Sequence, residues 1–118
     1  MIIEIDGVPP SLNKWARLHW AKQREIKQEW AWLVKAACLA AKVGRPGYKM
    51  ATVKITLIFP VMRRRDIDNY APKFLLDPLV GAGIILDDRA DWVDVSWHFA
   101  KGDKRETIIE VEVHDEHP

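Results

Sequence analysis

The chain has 118 residues, a formal net charge of +1, 48% hydrophobic residues and 30% charged residues, a composition typical of a folded protein. The near-neutral balance excludes a protein-wide basic field, so any binding to nucleic acid must come from local basic surface. The length suits one domain over residues 1–118, and the single cysteine, Cys38, excludes an internal disulfide and a zinc site built from cysteines.

Targeting and membrane signals are not evident in the sequence. The N-terminal residues lack the basic, apolar and cleavage-site parts of a secretory signal peptide. No apolar run approaches the roughly 20 residues that a bilayer-spanning helix needs. We therefore expect a cytoplasmic protein with no membrane partner.

The first part of the chain predicts a strand, a loop and a long helix. Residues 2–6 predict a short strand, which Gly7 and the Pro9–Pro10 pair end because proline has no N–H for a sheet ladder. Residues 11–14 predict a polar loop. From about residue 15 to residue 41, apolar side chains recur every three or four residues, which predicts an amphipathic helix. Its apolar face carries Ile26, Trp30, Leu33, Ala37 and Ala41, and its other face carries Lys22, Arg24, Lys27, Gln28 and Lys35.

The second part predicts three strands and a short helix. Strict alternation over residues 51–59 predicts a half-buried strand. Residues 71–80 predict a helix, in which Pro78 should cause a kink or an early end. Alternation over residues 93–99 and 109–113, with a loop of about four residues, predicts a β-hairpin. The order β-α-β-α-β-β predicts an α/β (α+β) fold, a mixed β-sheet with two helices packed on it.

Two aspartates that follow the predicted strand are candidate metal ligands. In extended chain Asp66 and Asp68 point the same way, whereas on a helix they would lie about 200° apart. A second acidic pair, Asp87 and Asp88, follows an apolar run. Magnesium takes one or two carboxylates with water and phosphate oxygens, so these residues suit metal-assisted phosphodiester hydrolysis. An Asp-x-Asp pair also arises by chance, and an aspartate before a helix is often an N-cap, so both interpretations stay open.

Basic residues adjoin the acidic pair. Three consecutive arginines, Arg63, Arg64 and Arg65, directly precede it. Beside a metal they would hold a nucleic-acid backbone, whereas alone such a run is usually a solvated surface. The basic and aromatic segment 13–20 is a second candidate, unless it is a helix start whose tryptophans pack inward. In segment 13–20 the candidate DNA contacts are Asn13, Lys14 and Arg17.

Several motifs together resemble one enzyme family. The sequence "RRRDIDN", then a helix with Lys73 and "LLDPLVGAG", then "IILDD", resembles the RusA-type Holliday-junction resolvases of bacteria and phages. The N-terminal "VPPSLNKWAR" is similar to that family's Pro-Pro-Ser-x-Asn segment with a following basic residue. The predicted final hairpin also matches in position, so the resemblance covers nearly the whole chain.

The resemblance implies a homodimeric, Mg²⁺-dependent endonuclease, with Mn²⁺ as a substitute, that cuts four-way DNA junctions by symmetric nicks. It implies that Asp66, Asp68 and Asp88 are catalytic metal ligands and that Lys73 is the catalytic lysine. Lys73 follows Asp68 by five residues, where the family's form has four, and an inserted residue around Ala71-Pro72 would explain this. Asp87 competes with Asp88, and we expect only one to face the metal because consecutive residues of extended chain point oppositely.

Three functions stay open at this point. A junction resolvase predicts metal-dependent cleavage of branched DNA in recombination and repair, with little cleavage of linear duplex. A branch-directed nuclease for flaps or forks would use the same residues on another substrate. A non-catalytic junction-binding protein would tolerate Asp68→Asn, because its acidic residues would be structural.

Overall fold

The computed structural model describes residues 1–61, 63, 69–70 and 73–114, with only the backbone of Lys73. These residues form a mixed α+β fold of four strands and three helices, one helix more than the sequence predicts. The elements in chain order are β1 (Ile2–Asp6), α1 (Leu12–Ala16), α2 (Trp20–Ala40), β2 (Ala51–Phe59), α3 (Lys73–Gly81), β3 (Val93–Lys101) and β4 (Glu106–Val113).

The four strands form one mixed sheet in the order β1-β4-β2-β3. β2 pairs with β3 in parallel and with β4 antiparallel, so the predicted β-hairpin of the last two strands is wrong. The four residues between Lys101 and Glu106 cross the end of β2, and the Gly102 N–H donates to the Phe59 carbonyl at 3.1 Å. Crossing one strand requires about 10 Å. Five Cα–Cα steps reach about 16 Å, so this short link suffices.

The single helix predicted over residues 15–41 is two helices. Ser11 is an N-cap whose Oγ accepts from the Lys14 N–H at 3.3 Å, so α1 replaces the predicted polar loop. His19 caps α2 in the same way, because its Nδ1 accepts from the Ala21 N–H at 3.2 Å. Of the helices in the described ranges, none combines the length and apolar character needed to cross a bilayer.

The third helix, α3, continues beyond Pro78. Of the two outcomes predicted at Pro78, a kink or an early end, the early end is wrong, because α3 runs to Gly81. The Ala82 N–H donates to the Pro78 carbonyl at 2.8 Å. Leu75, one turn before this proline, and Leu79, directly after it, are fully buried. Their burial offsets the helix hydrogen bond that Pro78 cannot form.

The core lies between one face of the sheet and helices α2 and α3. Alternate residues of β2 from Ala51 to Phe59 are buried, which confirms the predicted alternation. On α2, Trp30 is buried and its predicted apolar neighbours are partly buried, apart from Ala41, which follows the helix and is exposed. Val34 and Cys38 complete this buried side. The opposite face of the sheet is called the open face below, since its residues are exposed or half-buried.

Candidate metal and nucleic-acid site

A hydrogen bond joins Asn13 of the N-terminal segment to Asn69, which directly follows Asp68 in the sequence. The Asn13 backbone N–H donates to Oδ1 of Asn69 at 3.1 Å. Asn13 lies in the first turn of α1, where a backbone N–H has no partner within the helix. Asn69 supplies the missing acceptor, so two segments 56 residues apart meet at this point.

Asn69 therefore connects the two candidate segments, and the sequence alone did not indicate this contact. Two signals could have found it. Asn69 directly follows the pair Asp66 and Asp68, and the first backbone N–H groups of α1 need acceptors from outside the helix. The second signal is usable only where α1 is identified as a helix, whereas the sequence predicts a loop over residues 11–14.

Aromatic packing fixes the position of the next residue, Tyr70. Its ring centroid lies 5.7 Å from that of Phe99, 6.3 Å from that of Trp97 and 6.5 Å from that of Phe59. Phe59 is the last residue of β2, and Phe99 lies near the end of β3. Asn69 and Tyr70 thus lie against the C-terminal halves of these two strands.

The competing aspartates Asp87 and Asp88 have different environments. Oδ1 of Asp87 accepts from the Asp88 backbone N–H at 2.8 Å, so this carboxylate caps its own loop. Asp87 is exposed, whereas Asp88 is half-buried. This difference favours Asp88 as the candidate ligand.

The neighbouring Asp91 is held in an ion pair. Arg89 donates to it through Nε at 3.0 Å and Nη2 at 2.7 Å. The hydrogen bond from Arg89 lowers the pKa of Asp91, and the same contact raises the pKa of Arg89. The Arg89 guanidinium also lies 4.4 Å from the ring centroid of Trp92. These contacts order the loop that follows Asp88.

The described residues place Asp88 and Asn69 towards opposite ends of β2. The loop containing Asp88 is held at the start of β2, because Leu86 N–H donates to Tyr48 O at 2.9 Å and Ala51 N–H donates to Trp92 O at 3.0 Å. Nine residues of strand extend about 26 Å. Within the described ranges, no three His, Cys, Asp or Glu side chains gather as metal ligands. Asp66 and Asp68 lie outside those ranges, so a shared site with Asp88 stays a prediction.

The basic candidates lie on α1, in the run of three arginines and at the start of α3. Lys14 is exposed on α1 and lines a cavity of about 420 Å³ together with Tyr70, and Arg17 is exposed at the end of α1. Arg63 is exposed, while Arg64 and Arg65 lie outside the described residues. Lys73 is the first residue of α3. The structure thus brings Asn13 and Lys14 to the segment that follows Asp68.

The tryptophans of segment 13–20 differ in burial. Trp15 packs edge-on against Phe74 with 5.6 Å between the ring centroids, as the inward-packing interpretation predicts. Trp20 is 67% exposed, so that interpretation is wrong for this residue.

Two comparisons with known proteins found no match. No model of a protein family matches the chain, and no curated protein matches it. The chemical character of the site thus depends on the residues described above.

Proposed function

We propose that the chain is a Mg²⁺-dependent, structure-selective endonuclease of the RusA type that resolves four-way DNA junctions as a homodimer. The observation that carries this proposal is the hydrogen bond from Asn13 to Asn69. Each of these residues belongs to a segment that resembles the family, and the segments are far apart in sequence. One active site built from both segments requires them to meet, as they do here.

In this proposal Asp66, Asp68 and Asp88 hold the metal ion. Asp88 is assigned this role on the resemblance and because it is half-buried, whereas Asp87 is exposed. When bound, the ion would neutralise the scissile phosphate and activate the attacking water. Lys73, at the start of α3, would donate a hydrogen bond to the phosphate as its charge develops.

The basic side chains would hold the DNA backbone near these carboxylates. Lys14 and Tyr70 line the same cavity, so a phosphate at Lys14 would lie beside the segment that contains Asp68. Arg17, Arg63, Arg64 and Arg65 would extend this contact, and Mn²⁺ would substitute for Mg²⁺. A two-fold homodimer would present two such sites and match the symmetry of a four-way junction. The resemblance to this family would make the chain a cytoplasmic enzyme of a bacterium or phage.

A cleavage assay tests this proposal. The substrates are an end-labelled mobile four-way junction and a linear duplex of the same sequence, each with Mg²⁺ or with EDTA. We expect paired symmetric nicks in the junction only, only with metal, and none with Asp68→Asn. Asp87→Asn is the matched control because it also removes one carboxylate, and it should still cleave.

Other outcomes would assign the remaining functions. Preferred cleavage of a flap or fork would indicate a branch-directed nuclease with a different substrate. Junction binding without cleavage in Mg²⁺ or Mn²⁺ would indicate a binding protein. Equal cleavage of linear and branched DNA would refute structure selectivity.

A further inference from the structure

Charge is distributed unequally between the two layers of this near-neutral chain. Acidic side chains on the open face of the sheet are Glu4, Asp6, Asp94, Glu106, Glu110 and Glu112. The cation Lys54 of this face pairs with Glu110 at 3.6 Å, and Lys104 beside it pairs with Asp6 at 3.1 Å. A surface of this composition repels phosphate, which leaves the helical layer as the side on which DNA can approach.

On α2 three of the four basic side chains lie away from the acidic ones, while Lys22 lies on the acidic side and pairs with Glu25 at 3.5 Å. At 100° per residue, Arg24, Lys27 and Lys35 fall within about 80° around the helix axis. Glu25 and Glu29 fall outside this sector. All five side chains are exposed, so the sector is a basic surface of the helix. We call Arg24, Lys27 and Lys35 the basic side of α2.

Contacts confirm that these two sides of α2 face different parts of the molecule. Lys27 and Lys35 line a cavity of about 530 Å³ between α1, α2 and α3. Glu29 lines the separate cavity of about 420 Å³ that contains Tyr70. Asp77 of α3 is an acidic residue that also lines the larger cavity. Two residues of the basic side, Lys27 and Lys35, therefore line the groove between the three helices.

This groove adjoins the proposed active site. Its walls include Leu12 and Trp15 of α1, which flank Asn13 and Lys14, and Phe74, which follows Lys73. Lys27 is held at this wall because its Nζ lies 5.0 Å from the Trp15 ring centroid. A cation in this place can contact the same DNA molecule as the site.

The spacing along α2 suits a DNA backbone. Lys27 and Lys35 are eight residues apart, which is about 12 Å along the helix axis. One DNA strand places a phosphate about every 3.4 Å of axial rise, so this span covers three to four phosphates.

We propose that the basic side of α2 binds the phosphate backbone of a junction arm and that the open face of the sheet points away from DNA. This inference rests on the proposed function, because it supplies further contacts for the same substrate. It adds Arg24, Lys27 and Lys35 to the DNA-binding residues. It also explains how a chain of net charge +1 can bind DNA by local surface.

Two double variants with the same change of charge test it. Lys27→Gln with Lys35→Gln neutralises the basic side, and Lys54→Gln with Lys104→Gln neutralises two cations of the opposite layer. Junction affinity is measured in EDTA between 50 and 200 mM salt, by fluorescence anisotropy. Lys27→Arg with Lys35→Arg retains the charge, and thermal melting of each variant verifies its folding.

Loss of two phosphate contacts should lower the slope of log affinity against log salt by about 1.8. The ratio of parent to variant affinity should then change about 12-fold over this salt range. We expect this result for the Lys27/Lys35 glutamine variant, parental slopes for the Lys54/Lys104 variant, and recovery with arginine. Equal slopes for the two glutamine variants would overturn the inference, and a parent that does not bind junctions would refute the proposed function itself.

Discussion

The hydrogen bond from Asn13 to Asn69 can be removed without disturbing the core. Asn69→Ala deletes the acceptor oxygen that lies 3.1 Å from the Asn13 nitrogen. The bond is neutral and exposed, so its loss should cost about 0.5–1.5 kcal/mol of local stability at the start of α1. Asn69→Asp is the matched control, because it retains an oxygen acceptor at the same place.

This loss of local stability can be measured as faster amide hydrogen exchange. A difference of 0.5–1.5 kcal/mol corresponds to about a 2- to 12-fold change in a local opening equilibrium. We expect the Asn13 amide to exchange faster by this factor in Asn69→Ala, as measured by NMR, and to stay near the parental rate in Asn69→Asp. The Ala51 amide donates to the Trp92 carbonyl at 3.0 Å at the start of β2, far from Asn69, so its exchange rate should not change.

An unchanged Asn13 exchange rate in Asn69→Ala would refute the reasoning, because Asn69 would then not hold α1. Faster exchange at both Asn13 and Ala51 would show a general loss of stability and would contradict a local role. The same variant should slow junction cleavage while the protein stays folded, since the two segments of the proposed site would lose one connection.

Two further predictions concern the acidic loop and the strand crossing. Asp88→Asn should reduce Mg²⁺-dependent junction cleavage roughly a hundredfold or more, through lost metal binding, while Asp87→Asn should retain most of it; single-turnover rates distinguish the two, and equal losses would contradict the assignment. Gly102→Ala should destabilise the fold by about 1–3 kcal/mol in denaturant unfolding, because the ideal Cβ would come within 2.5 Å of Ile58 Cγ2. Gly81→Ala is its control, since a Cβ there has no neighbour within 4 Å, and equal midpoints for the two variants would rule out the clash.

Local patterns predicted which faces of the elements are buried. The alternation from Ala51 to Phe59 gave the central strand with its bounds, and Trp30 gave the buried side of the long helix. Both patterns come from side chains two to four residues apart in the sequence and from burial of one face of the element. They carry little information about which strand lies beside which, so the pairing of β3 with β2 was missed.

Two other errors have local physical causes. Ser11 was assigned to a loop because a serine favours both turns and N-caps, and only the residues after it decide between them. Pro78 predicts a kink or an early end of α3, but Leu75 and Leu79 on either side of it are fully buried and keep the helix continuous to Gly81. The geometry that sets Asp87 apart from Asp88 is a single side-chain hydrogen bond, which composition and spacing do not encode.

The central claim is that Asp66, Asp68 and Asp88 hold one ion, although Asn69 and the loop of Asp88 lie towards opposite ends of β2. Titration with Mn²⁺, followed by electron paramagnetic resonance, measures this directly in the parent and in Asp66→Asn, Asp68→Asn and Asp88→Asn. If the three aspartates hold one ion, each single change should weaken Mn²⁺ binding at least about tenfold. The double variant Asp68→Asn with Asp88→Asn should lose this one ion and no second ion. Parental Mn²⁺ affinity in Asp88→Asn would contradict the central claim.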